Sequence, residues 1–324
     1  MDPTRRHKSS ALRSWARLVR IPNTPTAIAD GLAGMALASG TIWWHPATLL
    51  LVLASVAFYW AGMTLNDLFD LQEDRQASRP RPLVDGSLTV RQAAGAGWGL
   101  WCLGLLLVVA ASTLAAFYSA KPFHWTTLAI GSLLALAILA YNGWLKQTSW
   151  APAMMGVCRA CNLLLGAALV RQALADGSIP TVAWIAALGH LVFVTGFTIA
   201  ARQEEKTSQR MTLGTGWLVA AVGLAIWSAT PWFLDASSAR LALRDRWVFP
   251  MLILLVSLPL VRRALASLQE PTPKKVQGSI KQAIGTLLML DASAALAFSG
   301  PFDGLMICSL FIPWILLGRW YAST

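Results

Sequence analysis

The chain has 324 residues, of which 56% are hydrophobic and only 13% are charged, and its formal net charge is +11. A soluble globular domain carries about 25% charged residues, so the composition excludes that class and indicates a polytopic membrane protein. The excess of Lys and Arg is then better explained by membrane topology than by binding to nucleic acid, and no nucleic-acid partner is expected.

Residues 1–22 are predicted to form a basic cytosolic tail with a short amphipathic helix, and 23–324 to form a single transmembrane domain. Each apolar run after the tail is near the ~20 residues that a helix needs to cross the hydrocarbon layer. Segments in lipid are helices or closed barrels, and these runs are too long for barrel strands. We therefore predict an all-α bundle of nine or ten transmembrane helices, the pair beside Gly300-Pro301 leaving the number open. The runs lie at roughly 23–40, 46–66, 91–117, 125–142, 150–170, 180–200, 212–234, 247–261, 281–299 and 303–320.

Most of the 26 Lys and Arg residues fall in short loops on the side that holds the N-terminus. Because basic loops stay in the cytoplasm, the N-terminus and the acidic stretch that closes the second run are predicted to be cytoplasmic. The expected location is the inner membrane, with the lipid bilayer as a partner.

The acidic stretch after the second run is the strongest candidate site. On a helix that turns ~100° per residue, four side chains share an arc of roughly 100°: Asn66, Asp67, Asp70 and Asp74. Glu73 lies just outside it. Carboxylates this close repel one another, and oxygen ligands of this kind suit Mg²⁺, which bridges carboxylates to diphosphate. The alternative is an ordinary acidic helix end among solvated headgroups.

Three arginines, Arg75, Arg79 and Arg81, follow the acidic stretch directly. The planar fork of arginine matches phosphate oxygens, so carboxylates with metal and arginines together can hold a diphosphate from both sides. Taken alone, these arginines are equally well explained as markers of the cytoplasmic side. A second mixed-charge segment with Arg202, Glu204 and Glu205 closes the sixth run, and it is either a partner to the first cluster or a solvated helix end.

Polar side chains inside the runs are costly in lipid and therefore mark candidate functional positions. Arg159 and Asn162 lie three apart on one helical face, and Arg159 needs an anion, either a carboxylate such as Asp291 or a ligand phosphate. His190, in the sixth run, is more typical of an interhelical hydrogen-bond donor than of a ligand. Further polar groups stand at the ends of runs: Asn23, Tyr141, Asn142 and Lys146.

These residues resemble a known signature. The first motif of the UbiA superfamily of intramembrane prenyltransferases is similar to Asn66-Asp67-x-x-Asp70-x-x-x-Asp74 followed by Arg81-Pro82-Leu83-x-x-Gly86. Arg20-Ile-Pro-Asn23 and the helix count extend the resemblance over most of the chain. The segment 155–166 is similar to the Ebo-type UbiA-like branch of bacterial secondary-metabolism clusters.

The resemblance implies a helical bundle around a central cavity that opens to lipid. It also implies that a polyprenyl diphosphate is bound through Mg²⁺ and that its prenyl group is transferred to an acceptor, often aromatic. Expected catalytic residues are Asp70, Asp74, Lys146 and Arg81, the last two stabilising the departing diphosphate. Expected metal ligands are Asn66, Asp67, Asp70, Asp74, Glu204 and Glu205. Expected substrate-binding residues are Asn23, Asn66, Arg75, Tyr141, Arg159, Asn162 and Arg202.

The chain departs from the family pattern at two places. The second motif has aspartates four apart, whereas here Ala201 stands in the first position and Glu205 in the last. Family members also have Tyr and Lys four apart after the fourth helix, whereas Tyr141 and Lys146 are five apart.

The sequence leaves three functional hypotheses. The first is a Mg²⁺-dependent prenyltransferase, and the second is a non-catalytic descendant that binds or translocates a hydrophobic or lipid-linked precursor. The third is an ion-coupled transporter that uses Arg159 and Asp291.

Overall fold

The structure is a computed structural model that describes residues 11–120, 123–174, 177–202, 208–234 and 241–322. Within these ranges the chain is helical and has no strand. The first helices are α1 (Ala11–Leu18), α2 (Thr24–Ser39), α3 (Pro46–Phe69), α4 (Leu71–Gln76), α5 (Val90–Ser119), α6 (Thr126–Ala140) and α7 (Ala151–Leu174). The others are α8 (Thr181–Ala201), α9 (Arg210–Ser228), α10 (Val248–Gln269), α11 (Pro273–Phe298), α12 (Pro301–Ser309) and α13 (Phe311–Ala322).

The predicted all-α membrane bundle is confirmed. Among the described residues, nine helical segments are long and apolar enough to cross a membrane, and α12 and α13 together form the last of these. The first apolar run corresponds to α2, whose 16 residues reach only ~24 Å, less than the ~30 Å of a hydrocarbon core. The first of the ten predicted runs is therefore a shorter helix, which lies inside the bundle.

The short helix α2 is the centre of the packing. Nearly all its side chains are buried, and it packs against α3, α7, α8 and α11. Its approach to α7 is so close that a Cβ added at Gly34 would collide with the Leu163 carbonyl, and one at Gly166 with the Gly31 carbonyl. Small residues permit such contacts between membrane helices. The polar faces of α2 and α7 are brought together by this contact.

Helix ends differ from the predicted runs where polar residues continue a helix. Helix α10 continues to Gln269 and α11 begins at Pro273, so both extend beyond the runs 247–261 and 281–299. Hydropathy marks the apolar part of a helix, whereas the backbone hydrogen bonds continue past it. The break between the last two runs occurs as expected at Gly300, which has a φ of 109° and precedes Pro301 at the start of α12.

Helix α1, which begins the described part of the chain, is packed onto the rest of the protein. Helix α1 lies within the predicted tail, and Leu18 forms a small buried cluster with Leu83, Leu88 and Ala93. The predicted boundary between residues 22 and 23 falls inside a 3₁₀ turn, Ile21–Asn23, that leads directly into α2. The loop after α4 is thereby held against α1.

Candidate active site

The acidic stretch spans the junction of α3 and α4. The helical hydrogen bonding continues through it, because the Asp70 amide donates to the Asn66 carbonyl (3.1 Å) and the Asp74 amide to the Asp70 carbonyl (2.9 Å). Asn66, Asp67 and Asp74 are buried, whereas the Glu73 side chain is 56% exposed. The shared face predicted from helical periodicity is thus present, with Glu73 outside it.

Arg81 joins two of the buried carboxylates. Its Nη1 lies 2.8 Å from Asp67 Oδ1, and its Nε lies 3.8 Å from Asp74 Oδ2. Each carboxylate has one further basic partner, since Arg20 lies 3.6 Å from Asp67 and Arg79 lies 2.8 Å from Asp74. The side chains of Asp67 and Asp74 are 2% and 1% exposed, so these pairs are shielded from solvent. The acidic face and the arginines that follow it therefore form one charged layer.

Asp70 is paired with Lys146, whose ammonium group binds Asp70 Oδ2 directly. Lys146 follows a π-helical turn, Tyr141–Leu145, that ends α6. A π turn takes about one residue more than an α turn. Tyr141 and Lys146, five apart, therefore lie on nearly the same side of the helix, as residues four apart do in an α-helix. The extra residue found in the sequence is absorbed by this turn.

A cavity of about 230 Å³ lies beside this layer. Its wall is mostly apolar. The polar residues in the wall are Arg20, Asn23, Ser55, Tyr59, Tyr141, Asn142, Arg159, Asn162 and Thr198. The Nδ2 group of Asn66 donates to Asn142 Oδ1 over 3.1 Å, so one contact connects the acidic stretch to the cavity wall. Val194, Phe197 and Thr198 of α8 also line the cavity. The last turns of α8, which precede the second motif, therefore lie beside it.

Arg20 is held in an uncommon backbone conformation at the mouth of this cavity. Its φ is 51° and its ψ 52°, in the left-handed region, and its carbonyl accepts a 3.4 Å hydrogen bond from the Tyr59 hydroxyl. Non-glycine residues in this region cluster at functional sites, where surrounding contacts impose the conformation. Here the conformation directs the guanidinium to Asp67 and leads the chain into the turn that carries Asn23.

Two other predicted substrate-binding arginines lie away from the buried layer. Arg75 is exposed on α4. Arg202 is exposed after α8, where it donates to the carbonyls of Thr148 (3.0 Å) and Ser149 (3.2 Å) and so ties α8 to the loop that follows Lys146. The predicted metal ligands Glu204 and Glu205 lie outside the described residues.

Arg159 and Asn162 do share one face, but the expected partner of Arg159 differs. Arg159 Nη1 donates to Asp30 Oδ2 over 2.9 Å, and Asn162 Nδ2 donates to the same oxygen over 3.1 Å. Asp291, the carboxylate considered from the sequence, contacts His190 instead. Asp30 was missed by the sequence reasoning, although a carboxylate within the apolar α2 segment is itself a signal of a functional or paired group.

Comparisons with known proteins bear on this arrangement. The sequence model of the UbiA prenyltransferase family matches residues 28–282. The chain is 32% identical over 159 residues to a 4-hydroxybenzoate octaprenyltransferase from Polaromonas naphthalenivorans (strain CJ2), a match that covers 48% of each protein. It is 27% identical over 224 residues to a protein of that name from Acidovorax ebreus (strain TPSY), covering 64% of this chain and 68% of the relative. These matches thus span about half to two thirds of the relatives' length.

The fold has solved counterparts as well. A UbiA homologue from Archaeoglobus fulgidus, solved bound to GPP and Mg²⁺, superposes with a TM-score of 0.56. The alignment is 13% identical and covers 85% of this chain and 99% of that chain. At this identity the likeness concerns the fold alone.

Proposed function

The chain belongs to the UbiA prenyltransferase family, and we propose that it transfers a prenyl group from a polyprenyl diphosphate to an aromatic acceptor inside the membrane. The observation that carries the proposal is the layer of paired carboxylates and basic groups that meets the wall of a largely apolar cavity at Arg20 and Asn142. Such a layer suits a diphosphate head, and the cavity suits the acceptor and the first isoprene units.

The acidic stretch fits Mg²⁺. Its donors are hard oxygens, and Asp74 Oδ2 is buried without a hydrogen bond, its ion-pair partner Arg81 lying 3.8 Å away. Asp70, Asp74 and Asn66 would hold the ion, with Asp67 in support. A bound Mg²⁺ would supply charge neutralisation of the diphosphate leaving group.

The basic residues have a second role in this proposal. Arg81 and Lys146 bind carboxylates of the acidic stretch in the structure. A diphosphate offers them oxygens of the same charge, and charge-assisted bonds to it would stabilise the negative charge that builds up as the C–O bond breaks. The π turn before Lys146 keeps Tyr141 in the cavity wall at the same time.

The apolar wall protects the reaction from water. Phe58, Ile138 and Phe197 line the cavity, and excluding water prevents hydrolysis of a reactive prenyl cation. The cavity volume of about 230 Å³ is below the ~300–1,000 Å³ of common small-molecule sites. A long prenyl chain would therefore extend beyond it between helices toward lipid.

The polar groups Asn23, Arg159 and Asn162 would orient the acceptor.

The protein is multi-pass, and we place its N-terminus and this site on the cytoplasmic side of the inner membrane because the basic loops collect there.

A second candidate function is a non-catalytic one. Ala201 at the second motif removes one carboxylate, and this observation favours a protein that binds a prenyl diphosphate or other hydrophobic precursor without turnover. The two functions differ in one measurable product, inorganic pyrophosphate.

The test is pyrophosphate release by the purified protein in lipid nanodiscs, with Mg²⁺, 4-hydroxybenzoate and prenyl diphosphates of graded length. Asp70→Asn is expected to lower the rate by roughly 10²–10³-fold, because one carboxylate that would hold the charge-neutralising Mg²⁺ is lost. Glu73→Gln is the matched control, since Glu73 is an exposed acid only three residues further on, in α4. Full activity of the Asp70→Asn variant contradicts the proposed mechanism, whereas binding of labelled donor without pyrophosphate supports the non-catalytic alternative.

A further inference from the structure

A second group of ionisable side chains lies inside the bundle, and only one of its members, Arg159, also lines the cavity of the proposed transfer. Four helices each contribute one member: Asp30 from α2, Arg159 from α7, His190 from α8 and Asp291 from α11. The side chains of Asp30, His190 and Asp291 are 0% exposed. Ionisable groups at this depth are costly, so their convergence requires an explanation.

The two oxygens of Asp30 have different surroundings. Oδ2 accepts hydrogen bonds from Arg159 and Asn162. Oδ1 lies 3.6 Å from His190 Nε2, which in turn lies 3.2 Å from Asp291 Oδ1. The His190 ring packs against Trp227 with centroids 4.4 Å apart. Arg159 and Asn162 thus fix the Asp30 carboxylate, Trp227 packs on the His190 ring, and His190 Nε2 lies between oxygens of Asp30 and Asp291.

Hydrogen bonding within the group cannot satisfy these atoms. Asp30 Oδ1, both oxygens of Asp291 and both nitrogens of His190 are buried without a hydrogen-bond partner. A proton on His190 Nε2 can bond only one of the three oxygens, and the other two would remain unpaired at a substantial cost. With His190 neutral, the two carboxylates exceed the single charge of Arg159, which leaves a net negative charge in the interior. With His190 protonated the charges balance, but the proton on Nδ1 is then buried without an acceptor.

We propose that Asp30, His190 and Asp291 form a binding site for one divalent transition-metal ion of the Zn²⁺ class. Their candidate ligand atoms all lie within 4.8 Å of one another. Tetrahedral ligands at about 2.1 Å from an ion lie about 3.4 Å apart, and the two His190 distances, 3.2 and 3.6 Å, bracket this separation. A histidine nitrogen favours Zn²⁺, Cu²⁺, Ni²⁺ or Fe²⁺ over Mg²⁺.

The site shares no residue with the acidic stretch that we assign to Mg²⁺, and it does not depend on the proposed transfer. Arg159 and Asn162 are the outer partners that hydrogen-bond the ligating carboxylate, as is usual around protein metal ions. Both also line the cavity. A metal ion here would link α2, α8 and α11 and fix the position of Arg159 in the cavity wall.

The experiment is a metal count on purified, tag-free protein in nanodiscs. The protein is stripped with chelator, loaded with Zn²⁺ in the presence of excess Mg²⁺, desalted and measured by mass spectrometry. We expect about one zinc per chain in the wild type and in Asp70→Asn/Asp74→Asn, which lacks two carboxylates of the acidic stretch. His190→Ala is expected to retain none, and the isosteric Asp291→Asn much less than the wild type. A wild type without zinc, or His190→Ala with as much zinc as the wild type, overturns the proposal.

A second readout needs no variant and so does not depend on a variant's folding. Co²⁺ loaded into the wild type is expected to give the strong visible absorption of a four- or five-coordinate nitrogen–oxygen site. A weak octahedral spectrum overturns the proposal. So does a thiolate charge-transfer band, because Cys158 and Cys161 lie on α7 close to Arg159 and would then be the ligands. Cys158→Ser/Cys161→Ser is therefore expected to bind Co²⁺ as the wild type does.

Discussion

Replacing Arg81 by alanine tests whether the charged layer holds the diphosphate. Arg81 contacts Asp67 at 2.8 Å and Asp74 at 3.8 Å, and its own side chain is 27% exposed. Each carboxylate keeps its second partner, Arg20 or Arg79, so neither is left fully uncompensated. The loss of stability should therefore lie below the 3–5 kcal/mol of a fully broken buried pair, at about 1–3 kcal/mol.

Turnover should fall as well, by a free energy of similar size. A hydrogen bond to a charged group contributes about 1.5–3 kcal/mol, and each 1.4 kcal/mol is tenfold, so kcat/KM should fall by roughly 10–150-fold. The removal of one positive charge should raise the KM for the prenyl diphosphate. The same removal should lower the Mg²⁺ concentration needed for half-maximal activity, because the carboxylates then have fewer competing cations.

The assay is initial-rate kinetics in nanodiscs with varied donor and varied Mg²⁺, together with thermal unfolding of each protein. Arg91→Ala is the matched control, since Arg91 is an exposed arginine in the first turn of α5. An Arg81→Ala variant with unchanged kcat/KM and unchanged Mg²⁺ dependence would refute the reasoning. A fall in kcat/KM for Arg91→Ala of the same size would show that the effect is one of overall charge.

Two further predictions follow from other contacts. Lys146→Met should lower kcat by roughly 10²–10³-fold in the same assay, because the cation beside Asp70 is lost. Lys146→Arg should restore part of the rate. Equal kcat for Lys146→Met and the wild type contradicts the assigned role. Gly166→Ala should lower the free energy of unfolding by about 1–3 kcal/mol or more, because the new methyl group meets the Gly31 carbonyl of the backbone. Gly99→Ala, on the exposed side of α5 with open space around it, should be neutral or stabilising by up to about 1 kcal/mol; the comparison of the two thermal unfolding curves decides the point.

Helical periodicity was sufficient where the site lies on one continuous segment. The face shared by Asn66, Asp67, Asp70 and Asp74 depends only on the angle between successive residues of a helix. In the structure three of these side chains are buried, and that of Asp70 is 13% exposed. The apolar runs likewise identified every long helix, because the requirement to satisfy the backbone in lipid is local. The roles assigned to these residues remain predictions.

The partners across helices were decided by packing. Arg159 meets Asp30 because α2 and α7 approach closely at Gly34 and Gly166, and nothing in the spacing along the chain distinguishes Asp30 from Asp291 as its partner. Helices that are apolar on all sides carry little information about which face turns inward. The arrangement of His190 between two carboxylates could therefore be found only in three dimensions.

The sequence alone determined that this chain is a membrane-embedded helical bundle with an acidic, arginine-flanked helix end, because composition and periodicity act residue by residue. Only the tertiary structure decided which cation meets which carboxylate, how the five-residue spacing of Tyr141 and Lys146 is absorbed by a π turn, and where the cavity lies. Those features depend on contacts between segments far apart in the chain, and such contacts are set by how the helices pack.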